Sequence, residues 1–235
     1  MKKIIKSAAI VFSLSLTMFT IAAEADQEKK IILDLDFNSD TPTQVTDKSS
    51  SQLKGTPIKI EYIENEGNGK SVFFSGSDSA IVFNSPLFNF NEKQSFTIAF
   101  EFFAKPDDNK DGCFLLTKRL SPKECGFSFS IGKAGNFIVS LVDEAKNITL
   151  ACGKNSKDGA WHKVVLVVNR TSNQAVLYFD NQKVSSEPLG DLKSLANTKR
   201  DLRIGDRDYD NDFKGEIDNV KIYNYGLEDV EIIKK

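Results

Sequence analysis

The sequence predicts an all-β protein in which two antiparallel sheets pack as a sandwich, with a short helix near the C-terminus. Three observations predict it. Short segments rich in Phe, Val, Ile and Tyr, which suit a pleated half-buried surface, recur along the chain. Turn residues separate many of them at hairpin spacing. No segment before Gly226 carries a helical period, so the crossover helices that a parallel sheet needs are missing.

Taken in order, the strand segments are Ile31–Phe37, Ser71–Phe74, Ala80–Phe83, Phe96–Phe103, Phe114–Thr117 and Phe127–Ile131. They continue with Phe137–Val142, Ile148–Ala151, His162–Val168, Ala175–Phe179, Leu202–Ile204 and Ile217–Tyr223. Gly132–Gly135, Asp143–Lys146 and Asp180-Asn181 each join two segments as a hairpin. Thr- and Ser-rich Asp40–Gln52 reads as linker, and Gly226–Ile233 as a brief helix. There is no internal repeat, and residues 26–235 read as a single domain.

Residues 1–25 are expected to be a signal peptide. Lys2, Lys3 and Lys6 precede an apolar run from Ala8 to Ala23, and Ala23-Glu24-Ala25 has the small-x-small cleavage pattern. The run is shorter than the ~20 residues of a spanning helix and carries Ser13, Ser15, Thr17 and Thr20. The expectation is a soluble product without a membrane span, secreted, periplasmic or at the cell surface. A formal net charge of −2 and the lack of a basic block argue against a nucleic-acid partner.

Three cysteines, Cys113, Cys125 and Cys152, are too few for a disulfide scaffold. A hairpin turning around residue 122 sets Cys113 opposite Ile131, and the next two hairpins return Cys152 to the same end of the sheet. Cys113 with Cys152 is therefore the preferred disulfide, and three free thiols are the alternative.

From Asp158 onward four motifs follow one another. Asp158-Gly159-Ala160-Trp161-His162-Lys163-Val164 fits D-G-x-W-H-x-V, and Leu177-Tyr178-Phe179-Asp180-Asn181 fits L-Y-V-D-G. Leu202-Arg203-Ile204-Gly205 fits L-x-I-G, and Phe213 to Asn224 fits F-x-G-x-I-D-x-V-R-I-Y-N. Upstream, Gly69–Gly76 and Phe96–Phe100 fit G-x-A-L-x-F-x-G and F-T-I-S-x-W more loosely. Together they resemble the laminin-G-like jelly rolls of the concanavalin A-like lectin/glucanase superfamily, over roughly residues 31 to 233. The resemblance implies a two-sheet jelly roll. Trp161 is expected between the sheets, and Gly215 where backbone passes close to a neighbour.

The strongest hint of catalysis is Glu216-Ile217-Asp218. Glucanases of the same superfamily carry E-x-D-x-(x)-E on a strand whose alternate side chains face one cleft. Here the third acid is missing, since Asn219, Val220 and Lys221 occupy its place. His162 is the only histidine and reads as a hydrogen-bonded structural residue. No nucleophile elbow and no zinc-ligand spacing is present. No catalytic residue is assigned.

Calcium is the candidate ion. Asp206, Asp208, Asp210 and Asp212 stand at alternate positions in one loop, as hard oxygen ligands for Ca²⁺. Asp34, Asp36 and Asp78 are further carboxylates without a spacing pattern. In the same loop Tyr209 and Asn211, with Tyr225, are the candidate platform for a sugar. The leading expectation is an exported non-catalytic module that binds carbohydrate or a cell-surface or matrix partner, with calcium as its candidate cofactor. Two alternatives stand beside it: a glycan-active hydrolase or lyase with an atypical site, and an envelope interaction protein without a small ligand.

Overall fold

The computed structural model describes residues 28–65, 69–76, 78–207 and 212–233; the expected leader 1–25 lies outside them. Sixteen strands run β1 (Ile31–Leu35), β2 (Val45–Thr46), β3 (Lys54–Ile58), β4 (Ile60–Asn65), β5 (Gly69–Ser75), β6 (Ala80–Phe83), β7 (Phe96–Ala104) and β8 (Cys113–Thr117). They continue β9 (Gly126–Ile131), β10 (Asn136–Val142), β11 (Asn147–Asn155), β12 (Trp161–Asn169), β13 (Gln174–Phe179), β14 (Gln182–Pro188), β15 (Leu202–Ile204) and β16 (Lys214–Tyr223). Among the described residues one α-helix, α1 (Asp229–Ile233), follows, and two short 3-10 turns lie at Pro86–Phe88 and Pro106–Asp108.

Two antiparallel sheets form the jelly-roll sandwich. The first is ordered β14-β13-β12-β7-β16-β5-β4, and the second β11-β10-β9-β8-β15-β6-β3-β2. In the first sheet β16 has two partners in turn on one edge. Its first half pairs β5 (Ile217 with Val72) and its second half pairs β1 (Val220 with Leu35). The register with β7 slips between Asp218 and Lys221, at that handover.

The core is rich in phenylalanine, and alternation explains it. Along β7 Phe96, Ile98, Phe100 and Phe102 face inward, and Phe100 meets Phe129 of the opposite sheet edge-on at 5.3 Å. A packed ring pair of this kind adds ~0.5–1.5 kcal/mol beyond its area burial. The two motif glycines have packing reasons. A Cβ on Gly205 (φ 99°) would lie 2.1 Å from the Phe74 ring, and one on Gly215 would lie 2.3 Å from the Phe103 carbonyl oxygen.

All twelve expected strand segments form, as do the three hairpins and the helix. Asp180 and Asn181 supply the positive φ, 51° and 61°, that a two-residue turn requires. Four strands carried no readable signal. β3 contains Gly55 and Pro57, and β14 is polar and exposed at a sheet edge.

Three expectations need correction. Asp40–Gln52 is not a free linker. Asp47 is buried in it and accepts from the amides of Asp34, Ser49 and Leu53. Cys113 and Cys152 are not bridged, and all three cysteines are free thiols. Cys113 does face Ile131, Ile131 faces Phe137 and Phe137 faces Cys152, so the two share one end of the sheet. Two strands lie between them, however, which separates them by about 14 Å at the usual strand spacing. The third correction concerns Trp161. It is not between the sheets but 41% exposed on the outer face of the first.

Candidate functional site

That outer face carries the site. Along β12 the residues His162, Val164, Leu166 and Val168 face the core, so Trp161 and Lys163 must face out. Trp161 pairs with Phe103 of β7, and their rings lie 6.0 Å apart. The Lys105 ammonium sits 5.8 Å from the Phe103 ring centroid. His162 is hydrogen-bonded as expected, and it is buried. Its Nδ1 is 3.0 Å from Asp180 and its Nε2 3.1 Å from Asp158, while its ring packs on Phe179.

Beside the aromatic pair lies a carboxylate cluster. Glu216 and Asp218 point to the outer face together, as their alternation requires. Asp218 stands directly opposite Glu101 on β7. The third acid missing from β16 is thus supplied by the neighbouring strand. Asn219 has left-handed backbone (φ 53°), which asparagine tolerates better than most residues. Its Nδ2 donates to Oε2 of Glu101 and Oδ2 of Asp218, both at 3.2 Å, and its backbone amide donates to Oδ1 of Asp218 at 2.7 Å. Further along, Asn65 donates to the Ser71 hydroxyl, which donates to Glu216 at 2.6 Å.

A bulge at the point where β16 changes partner therefore sets two carboxyl groups against one amide. Bulges recur at such sites because they re-aim side chains. Asp218 is only 7% exposed. Burial, reinforced by the charges of Glu101 and Asp36, pushes its pKa up to about 7 against its backbone hydrogen bond. A strongly perturbed carboxyl group in a cleft beside an exposed indole has the signature of a working site.

The space over these residues is open. One depression of about 750 Å³ is lined by Asn65, Glu101, Trp161, Asp218 and Asn219. An adjoining one of about 800 Å³ shares Glu101 and Asn219 and runs past Lys163, Lys221 and Tyr223. Its far end is closed by Leu227 and Ile232 of the C-terminal segment, which pack on Val165, Val167 and Tyr178. The Thr97 hydroxyl holds that segment, donating to the Tyr225 carbonyl and accepting from the Leu227 amide, both at 2.9 Å.

The acidic loop looks different from its sequence. Asp206 is buried, with both carboxylate oxygens 2.6 Å from the Arg203 guanidinium. Asp212 accepts from the Asp78 amide at 2.9 Å. Asp208, Tyr209, Asp210 and Asn211 lie outside the described residues. Asp34, Asp36 and Asp78 each pair with a lysine: Lys221, Lys48 and Lys59. Tyr225 packs edge-on against Tyr223 on the first sheet, away from the loop's contacts with the second. Among the described residues no three His, Cys, Asp or Glu side chains converge as a metal site.

Comparison with known proteins agrees with this architecture. A family model of laminin-G type, for the concanavalin A-like lectin/glucanases superfamily, matches residues 75–233. A non-toxic nonhemagglutinin of Paraclostridium bifermentans is 26% identical over 157 residues, covering 64% of this chain and 13% of that protein. The ligand-binding domain of botulinum neurotoxin serotype D, solved with N-acetylneuraminic acid, superposes with a TM-score of 0.70 at 16% identity. That match covers 87% of this chain and 50% of the other. Domain 4 of an extracellular arabinanase of Geobacillus stearothermophilus, solved with arabinotriose, superposes with a TM-score of 0.67 at 16% identity. It covers 88% and 98% of the two chains. The chain therefore spans about an eighth of the curated relative and half of the neurotoxin domain.

Proposed function

The chain belongs to the concanavalin A-like lectin/glucanases superfamily, and on that premise we propose that it is an exported, non-catalytic module that binds saccharide on the outer face of its first sheet. One observation carries the reading: Trp161 lies exposed beside Phe103, at the edge of an array of carboxyl and amide groups from Glu101, Asp218, Asn219 and Asn65. The apolar face of a sugar ring packs on an indole, and planar amides and carboxyls pair with its hydroxyls. The leader-like residues 1–25 support export. Complexes of structural neighbours with N-acetylneuraminic acid, arabinotriose and synaptotagmin belong to those proteins, and they support a glycan, or failing that a protein, as partner here.

A specific observation favours hydrolysis as the second reading. Glu101, Glu216 and Asp218 place three carboxyl groups on one face, and burial raises the pKa of Asp218 to about 7. Against it, the Asn219 amide bridges two of the three and the Ser71 hydroxyl engages the third.

A glycan array with the wild-type chain and Trp161→Ala decides between them and against a protein partner. Saccharide signals that disappear in Trp161→Ala without release of shortened product support the proposal. Release that stops in Asp218→Asn and Glu216→Gln supports hydrolysis. A blank array beside a reproducible protein partner overturns both.

A further inference from the structure

The opposite face of the sandwich carries a second feature. Four of the chain's five arginines, Arg119, Arg200, Arg203 and Arg207, line one cleft together with Lys199. Among the described residues Asp201 is the acid in the lining, and the cleft, open to solvent, measures about 400 Å³. All other basic side chains bar Arg170 and the single His162 are lysine, in a chain of net charge −2. Charge alone does not explain this choice, because lysine serves solubility equally well. Arginine differs in its planar fork of donors, which matches the oxygens of carboxylate, sulfate or phosphate two at a time.

The cleft is built rigidly. Leu202 and Ile204 of β15 are in the core, so Arg203 between them faces out, and there it pairs with Thr117 of β8. Two of the guanidinium groups are gripped by carboxylates. Asp206 grips Arg203 through Nε and Nη2, and Glu124 grips Arg200 through the same two atoms. Arg119 donates from Nε to the Ser128 hydroxyl at 3.2 Å and from Nη1 to the Ser121 carbonyl at 2.7 Å. Arg207 lies over the Phe114 ring, 4.0 Å from its centroid. Below them the buried Lys118 ammonium donates to the carbonyls of Asn197 and Arg200, which pins the loop that completes the cleft.

Arg119 is the telling residue. It is half-buried, its two hydrogen-bond acceptors are neutral oxygens, and among the described residues no carboxylate lies within ion-pair distance of it. Burial, and next the positive charge of Arg207, lower its pKa, with Glu124 opposing. A partly desolvated guanidinium that faces another of like charge is the setting in which an added anion gains most.

We propose that this cleft is an oxyanion-binding site, independent of the saccharide face, which takes a sulfate, phosphate or carboxylate group between Arg119, Arg203 and Lys199. The anion is either free or carried by an acidic saccharide.

The test is a ¹⁵N NMR titration of the wild-type chain with sodium sulfate, against sodium chloride at matched ionic strength. The expected result is saturable shifts at Thr117, Arg119, Asp201 and Arg203 that chloride does not reproduce, with the amides around Trp161 unmoved. Lys199 is exposed, so Lys199→Ala tests the site without touching the fold, and Arg119→Lys tests the fork while keeping the charge. Each should weaken sulfate binding at least ten-fold with an unchanged spectrum elsewhere. A sulfated disaccharide that binds ten-fold tighter than free sulfate, while its unsulfated form leaves the cleft unshifted, identifies a saccharide-borne group. Equal affinity for the sulfated disaccharide and sulfate identifies the free anion as ligand. Linear shifts spread over surface lysines, or saturable shifts insensitive to both substitutions, overturn the proposal.

Discussion

Asp218 and Glu101 face each other across β16 and β7, and the Asn219 side-chain amide donates to both, each at 3.2 Å. Two carboxyl groups on one amide are tolerable when one of them keeps its proton. The bulge and the left-handed Asn219 therefore belong to the same device as the raised pKa of Asp218.

The first prediction follows from that amide. Asn219→Gly keeps a residue suited to φ 53° but removes the bridging donors. The variant should lose roughly 1–2 kcal/mol at pH 8, where a lost donor leaves two acids against each other, and less at pH 5. Urea denaturation at the two pH values reads the difference. An equal loss at both would mean that the amide does not mediate the carboxyl pair.

Asp218 itself predicts a pH dependence. Its folded pKa, about 7, is raised above its unfolded value, so the folded state binds the extra proton. Its contribution to stability is complete below the ordinary aspartate range and is lost as pH rises through about 7. Asp218→Asn, which cannot ionise, should gain on the wild type between pH 5 and pH 8 by on the order of 1–3 kcal/mol. Paired thermal melts across that range check it, and a constant gap between the two proteins would refute the raised pKa.

The thiols give a third test. Because Cys113 and Cys152 are separated by two strands, reductant should leave the melting temperature unchanged, and the unfolded chain should titrate three thiols. Burial pushes the Cys113 thiol up to about 12, so in the native protein it should resist alkylation at pH 8. A drop of several degrees with reductant would reinstate a disulfide.

Metal removal gives a fourth. The site's carboxyls are engaged by an amide and a hydroxyl, Asp206 is held by Arg203, and three further aspartates pair with lysines. Chelator should shift neither the melting temperature nor saccharide binding. A fall of several degrees that Ca²⁺ restores would establish an ion that stabilises the fold.

Most of the fold was legible because alternation and turn chemistry are local. Asp180-Asn181 marked its hairpin, and the cysteine register followed from hairpin counting as far as the shared end of the sheet. The same count of three hairpins leaves two strands between the cysteines, a spacing too wide for a bridge. Trp161 was misread for a physical reason. The strand that follows it is apolar on both faces, since Val165 and Val167 are covered by Leu227 and Ile232, and this conceals the phase of the alternation. Only His162, held between Asp158 and Asp180, hinted which side was the core. Glu101 was invisible as a partner of Asp218, because more than a hundred residues separate them and only the sheet order makes β7 and β16 neighbours. The basic cleft was equally hidden, Arg203 coming from β15, Arg119 from the loop after β8, and Arg200 and Arg207 from the segments on either side of β15.

Trp161 is the only tryptophan in the chain, so its fluorescence reports directly on the proposed binding face. The most direct test is a fluorescence titration with arabino- and sialyl-oligosaccharides and any further array hits, beside calorimetry on Trp161→Ala. A saturable spectral shift in the wild type, with affinity lost at least ten-fold in a variant that melts within a few degrees of it, is the predicted result. Saccharide binding that leaves the Trp161 spectrum unmoved and survives the substitution would contradict the account.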